Sequence, residues 1–166
     1  MNKKDLVVVD ANILIDIEDG NLTSSMFSLT KRSFCVPDIL FERELKQKHS
    51  HLLRLGLNLS VLSGKSVERV FALAQKHSKT NVSRIDLFAL QLALERSALL
   101  LTGDKMLRKI ANNYQIECHG TIWLVELMVK QNIISKPVAK NAYEKMCSLG
   151  SRLPWKEAEK RLAMLK

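Results

Sequence analysis

Short, dense apolar runs alternate along this chain with longer stretches whose apolar residues recur at helical spacing. Leu6-Val7-Val8-Val9 is apolar throughout, mostly β-branched, and ends at Asp10. Such a run predicts a strand covered on both faces, as in parallel sheets flanked by helices. Ala11 to Glu18 then reads as a short helix closed by Asp19-Gly20, and Leu22 to Leu29 as a second one. Ser33 to Val36 predicts a strand, and Pro37-Asp38 opens a helix to about Lys48, because Pro suits a first helical turn and Asp caps it. Leu57 to Leu62 alternates as a third strand, and Ser63-Gly64 turns into a helix carrying Val67, Val70, Phe71 and Ala74. Ser83 starts a further helix with Asp86 near the capping-box position, and its Leu87 to Leu94 stretch is apolar nearly all round, which predicts a central, buried helix. Ala98 to Thr102 reads as a buried strand, Gly103 to Ala111 as a helix and Ile116 to Cys118 as a last strand.

This alternation predicts an α/β fold around a parallel sheet. From Gly120 onward only helical patterns follow, at Thr121 to Lys130, about Lys136 to Leu149 and Trp155 to Leu165. Leu124, Leu127, Met128, Leu162 and Leu165 suit either a partner surface or packing of these last helices onto the sheet. No repeat or composition break divides the chain, so one domain is expected over residues 1–166, with a core at about 5–120 and a helical extension at about 121–166.

Charge adds a direction to this picture. Lys and Arg number 26 against 17 Asp and Glu, a formal net charge of +9 that favours a polyanionic partner, nucleic acid above all. Cys35, Cys118 and Cys147 lack CxxC spacing and read as free thiols in a reducing compartment. His49 and His51 fall in a basic run with Lys46, Lys48 and Arg54, a solvated face rather than a set of metal ligands. The start, Met-Asn-Lys-Lys, has the charge of a secretory leader, but Asp10 and Asp16 interrupt what would be its apolar stretch. No uncharged apolar run approaches the roughly 18 residues that cross a bilayer. A cytoplasmic protein without a membrane association is expected.

The candidate chemistry lies in carboxylates placed at equivalent points. Asp10 follows the first strand, Glu42 or Glu44 lies on the helix after the second, Asp86 on the first turn of the central helix and Asp104 just past Leu99-Leu100-Leu101. In an open parallel sheet these points share the rim where ligands bind. Oxygen donors without organised Cys or His suit Mg²⁺ or Mn²⁺, completed by water and a substrate phosphate, and thus phosphodiester chemistry. Against this stands the reading of four unrelated helix caps and surface acids, Asp10 capping the helix from Ala11 among them.

The chain resembles the PIN domain, a metal-dependent ribonuclease fold, through Val7-Val8-Val9-Asp10-Ala11-Asn12, Val36-Pro37-Asp38-Ile39-Leu40-Phe41-Glu42, Ser83-Arg84-Ile85-Asp86-Leu87-Phe88-Ala89-Leu90-Gln91-Leu92-Ala93 and Leu100-Leu101-Thr102-Gly103-Asp104-Lys105. These blocks come in the family's order and cover about residues 6–120. The resemblance implies a three-layer α/β/α sandwich with a central parallel sheet of about four or five strands, and Asp10, a glutamate, Asp86 and Asp104 as metal ligands. Glu42 is preferred over Glu44 from its distance to Pro37. Asn12 and Thr102 fall where the family often places polar groups supporting the ligands. The residues after Gly120 resemble the helical extension of small stand-alone prokaryotic PIN proteins, many of them toxins paired with an antitoxin.

The expected function is therefore a Mg²⁺- or Mn²⁺-dependent ribonuclease, with a metal-activated water attacking the phosphodiester. Arg84, Lys105 and Arg108 are candidates for substrate phosphates, RNA is the expected substrate, and a protein antitoxin and a homodimer are the expected assemblies. Asp16 is expected to have no part in the chemistry. The alternatives are a non-catalytic nucleic-acid-binding module of the same fold and an aspartate-based phosphatase-like domain, which would want a second acid where Asn12 stands.

Overall fold

The computed structural model describes residues 5–166, so the leader-like charge at residues 1–4 lies outside the described residues. Five parallel strands, β1 (Asp5–Val9), β2 (Arg32–Pro37), β3 (Asn58–Ser60), β4 (Leu99–Leu101) and β5 (Cys118–His119), form one sheet in the order β3-β2-β1-β4-β5. β1 is central because its side chains can be covered on both faces: Val7, Val8 and Val9 are all buried. The chain adds strands to one side of β1 through β2 and β3, then returns to the other side with β4 and β5. The strand order therefore reverses between β1 and β4, where open parallel sheets leave a crevice at their carboxyl ends.

Helices α1 (Ala11–Asp19) and α2 (Thr23–Phe27) precede β2. After β2 comes one continuous helical stretch: α3 (Asp38–Leu40), a π-helical turn (Phe41–Leu45) and α4 (Lys46–His49). The short α5 (Leu52–Leu55) leads to β3, and α6 (Gly64–Lys76), α7 (Arg84–Arg96) and α8 (Lys105–Asn113) lie between β3 and β5. α7 is the central helix that its composition predicts. Leu87 to Ala93 are all buried, and the helix packs on β1, β2 and β4 as well as on α6 and α8. Its start is a capping box in which Ser83 and Asp86 satisfy each other's backbone amides. α9 (Thr121–Lys130), α10 (Lys136–Ser148) and α11 (Trp155–Met164) form the extension, and α10 packs on α1, α9 and α11.

Where the structure departs from the pattern, local backbone geometry is the reason. α5 is a helical turn that the pattern does not predict, and the third strand begins at Asn58 instead of Leu57, because Gly56 at φ +125° ends that turn and lets the Leu57 N–H donate to the Leu52 carbonyl at 3.1 Å. The last strand begins at Cys118 instead of Ile116, since Gln115 adopts φ 60° and the Ile116 N–H donates to the Ala111 carbonyl at 3.1 Å, closing α8. His49 and His51 are not a bare solvated face: both rings contact the Glu18 carboxylate, one on each oxygen, tying α4 and the turn after it to α1. Among the described residues no helix is long and apolar enough to cross a membrane.

The last helices pack back onto the chain. Leu124, Met128 and Leu162 are buried within it and thus form no partner surface. Glu126 on α9 is buried, and Arg161 on α11 donates to it through Nε and Nη2, each at 2.7 Å. A buried carboxylate stripped of its cation retains its desolvation cost, so Arg161→Met should lower stability by about 2 kcal/mol, less than for a fully enclosed pair because Arg161 reaches solvent. Adding Glu126→Leu to that variant should restore most of the loss in urea denaturation. A double variant as unstable as Arg161→Met would show that the lost stability came from Arg161 packing and not from the stranded charge.

Candidate functional site

Asp10 leaves β1 at the crevice between β1 and β4, with its N–H donating to the Leu101 carbonyl at 2.9 Å. It stands at the N-cap position of α1, yet its side chain makes no capping bond. Instead Oδ2 accepts a hydrogen bond from the Thr102 hydroxyl at 3.0 Å, across the junction of β1 and β4. Asp10 is 1% exposed and Thr102 is fully buried. Burial is the main reason that the Asp10 carboxyl is pushed up to about 7, with the charges of Asp86 and Glu44 adding to it and the Thr102 bond opposing it. This acid is thus no cap and no surface group.

Thr102 carries the connection onward, because its Oγ1 also accepts from the Asp104 N–H at 3.1 Å. Asp104 opens α8, where Oδ1 accepts from the Leu107 N–H at 2.7 Å. Asp86, at the first turn of α7, uses Oδ2 for both of its bonds, from the Ser83 N–H at 3.1 Å and the Ser83 hydroxyl at 2.7 Å. In these two positions the capping reading of the sequence holds, but each cap occupies one oxygen. Asp86 Oδ1 and Asp104 Oδ2 carry no hydrogen bond among the described residues.

Of the two candidate glutamates, Glu44 is the one whose charge acts on Asp10 and is itself acted on by Asp86. Glu42 points into solvent and takes the Lys46 ammonium at 2.7 Å, one helical turn away. The structure does not bring it to the other acids. Glu44 sits at the rim, where partial burial and the Asp86 charge raise its carboxyl. The helical stripe Leu40, Phe41 and Leu45 is buried, and Glu44 lies three and four residues from Phe41 and Leu40 on that same side. That stripe, together with the Glu42–Lys46 pair of an outer face, is the signal by which the sequence distinguishes the two.

Around this rim Asn12 is exposed and lines a groove of about 400 Å³ with Asp16, Asp19, Gly103, Ser151 and Arg152. Asp16 is structural in a way the sequence did not suggest: Oδ2 accepts from the Thr121 hydroxyl at 2.7 Å and Oδ1 from the Ser151 hydroxyl at 2.6 Å, joining α1 to the start of α9 and the loop after α10. Of the basic candidates, Arg108 donates through Nη2 to the Thr102 carbonyl at 2.8 Å, bracing the residue that holds Asp10. Arg84 lies over the Phe71 ring at 5.1 Å from its centroid, away from the acids' bonds. Lys105 is exposed beside Gly103 and Asp104.

As the side chains stand, no three His, Cys, Asp or Glu groups among the described residues converge tightly enough to enclose an ion. The donors nevertheless fit a hard divalent cation in kind: they are all carboxylate oxygens, two are unbonded, and Asp10 is held where burial and its acidic neighbours oppose ionisation, which added positive charge would favour.

The model of a PIN-domain family matches residues 6–166 of the chain. Among solved structures, a PilT N-terminus domain protein from the archaeon Sulfolobus solfataricus superposes with a TM-score of 0.53 at 14% identity, covering 75% of this chain and 93% of that one. VapBC2 from Rickettsia felis, solved bound to a DNA fragment from the promoter, matches with a TM-score of 0.50 at 15% identity, covering 69% of this chain and 98% of that one. At these identities the likeness is one of fold. No curated protein matches the sequence significantly.

The buried acid makes stability depend on pH in a definite sense. In the unfolded chain Asp10 loses its proton near its ordinary value of 3.8, whereas in the folded chain it keeps it up to about 7. The folded state binds more protons throughout that window, so without divalent cations stability should be highest at the acidic end and fall as pH rises through it. The full span corresponds to about 4 kcal/mol for this group. Urea denaturation at a series of pH values should show the fall in wild type and its loss in Asp10→Asn. A wild-type stability that rises steadily over the same window would mean that Asp10 ionises like a surface acid.

Proposed function

Because the chain belongs to the PIN-domain family, whose members are in general nucleases, we propose that it is a divalent-metal-dependent ribonuclease with Asp10, Glu44, Asp86 and Asp104 as its acidic site. The observation that carries this reading is Asp10: a buried carboxyl at the strand-order reversal, unused as a cap and coupled to Asp86 and Glu44. A cation held by these acids would supply charge neutralisation at the phosphate and a lowered pKa for an attacking water. The chain's own residues do the rest. Thr102 orients Asp10 through the Oδ2 bond and leaves Oδ1 directed elsewhere, while Arg108 fixes the Thr102 backbone. Glu44 and Asp86 each raise Asp10, which suits one of the set to hold a proton near neutral pH. The net charge of +9 draws a polyanion toward the rim.

RNA as the polymer, an antitoxin partner and self-association belong to the same proposal. They are supported by the resemblance to small stand-alone PIN toxins and by the fold shared with VapBC2. A second reading has its own observation: Asp86 and Asp104 both serve as helix caps, which fits a nucleic-acid-binding module whose acids are structural.

Cleavage of labelled RNA in the presence of Mn²⁺ separates the two. Asp10→Asn, Asp86→Asn and Glu44→Gln should each lower the rate by about a hundredfold or more with the fold intact, whereas Glu42→Gln should stay within about twofold of wild type. Expression of the wild-type chain in bacteria should arrest growth, and Asp10→Asn should relieve it. Wild-type rates in Asp86→Asn and Glu44→Gln, on a substrate whose cleavage EDTA abolishes, would leave Asp86 a cap and Glu44 an ordinary surface acid.

A further inference from the structure

Next to the acid rim lies a second groove of about 270 Å³, and its lining differs in character from the first. Gly103, Arg152 and Leu153 belong to both grooves, so the two adjoin. On the far side His119, the last residue of β5, and Trp123, in the first turn of α9, stack face to face with centroids 4.2 Å apart and planes within 3°. Both are half-buried, and both line the groove. Glu117 fixes the imidazole, its Oε1 lying 2.8 Å from His119 Nε2. Stacked face to face, the two rings cover one face of each other and hold the pair rigid, so a base would stack on an outer face of the pair where it lines the groove; a Trp serving only the core would be enclosed.

The charges of this groove are distributed unevenly. Lys105 and Arg152 are exposed where the two grooves meet, and Arg108 lines the wall with one side of its guanidinium on the Thr102 carbonyl. Arg161 is taken up by Glu126, and Glu157 lies at the same end as Arg161, so free positive charge concentrates beside Gly103 and Asp104. Cations on the side of the acids and an aromatic platform beyond them match the alternation of phosphate and base in a single strand. A duplex keeps its base faces stacked inside and offers nothing to the platform.

We propose that this groove binds single-stranded RNA, with one unpaired base stacked on the His119–Trp123 pair and the phosphate toward the acid site held by Lys105 and Arg152. The assignment rests on the nuclease reading for the identity of the polymer and makes Trp123 and His119 binding residues that select unpaired strands. It also explains why the C-terminal helices belong to the functional unit: α9 supplies the Trp, and the segment between α10 and α11 supplies Arg152.

The test uses the full chain with Asp10→Asn, so that bound RNA stays intact, and a labelled single strand of about ten nucleotides in fluorescence anisotropy. The intact strand should bind about tenfold more tightly than the same strand with an abasic site at the stacked position, and also more tightly than a duplex of that sequence. Trp123→Leu and, separately, His119→Ala should remove the preference for the intact strand, while Arg152→Gln should weaken intact and abasic strands alike and reduce the salt dependence. In case a platform variant fails to fold, Trp123 emission in Trp155→Phe gives a second readout: the intact strand should quench it and the abasic strand should not. Equal affinity for intact and abasic strands, or a base preference that survives both platform variants, would overturn the proposal. Cleavage by the wild-type chain, measured apart, decides the nuclease reading independently: cleavage without base preference sinks the platform alone, and lack of both cleavage and RNA binding sinks the two together.

Discussion

The hydrogen bond from Thr102 to Asp10 is the contact on which the site depends, because it joins the ends of β1 and β4 at the point where the strand order reverses. A carboxyl at 1% exposure costs several kcal/mol if it ionises without partners, and here one hydroxyl and the Ala11 amide offset only part of that cost. The rest of the rim raises the cost further, since Asp86 and Glu44 direct negative charge toward the same place. Each is held there by an element with reasons of its own to be rigid: the capping box of α7 for Asp86, and the buried stripe of Leu40, Phe41 and Leu45 for Glu44. The fold thus directs the charges of a half-buried Asp86 and an exposed Glu44 toward one fully buried carboxyl, Asp10.

Much of this was legible in the residues, for identifiable physical reasons. The β-branched run ending in Asp10 can hardly be anything but a central strand, and Thr102 follows β4 at the same level, so their proximity comes from parallel register alone. The PIN resemblance is borne out by the family match over residues 6–166 and by the five-stranded parallel sheet. The glutamate was harder, because counting from Pro37 favours Glu42 while the helical face favours Glu44, and in the structure Glu42 pairs with Lys46 whereas the Glu44 charge reaches Asp10 and Asp86. The structural role of Asp16 is not legible in the sequence, because its partners, Thr121 and Ser151, lie 105 and 135 residues away along the chain. The stack of His119 on Trp123 depends on how β5 enters α9, a junction that polarity patterns place only approximately.

The C-terminal helices change the shape of the rim. α10 packs on α1, Asp16 anchors the start of α9 and the loop after α10, and the Arg161–Glu126 pair keeps α11 in place. The result is two adjoining grooves, one lined by Asn12, Asp16 and Asp19 and the other by cations and the aromatic pair, on either side of Gly103 and Arg152. Burying Leu124, Met128 and Leu162 to build these walls removes them as a partner surface. Any protein partner must therefore engage other residues.

Whether the buried Asp10 is held for a cation, as proposed, is read directly from the carboxyl carbon resonance of ¹³C-labelled aspartate, assigned through Asp10→Asn. In protein freed of divalent ions the Asp10 carboxyl should titrate at about 7. Saturating Mg²⁺ should move that midpoint down, toward or below the ordinary value of 3.8, because a bound cation favours the ionised form. A midpoint near 3.8 without any metal, or one at about 7 that Mg²⁺ leaves unmoved, would show that Asp10 is not held for a cation.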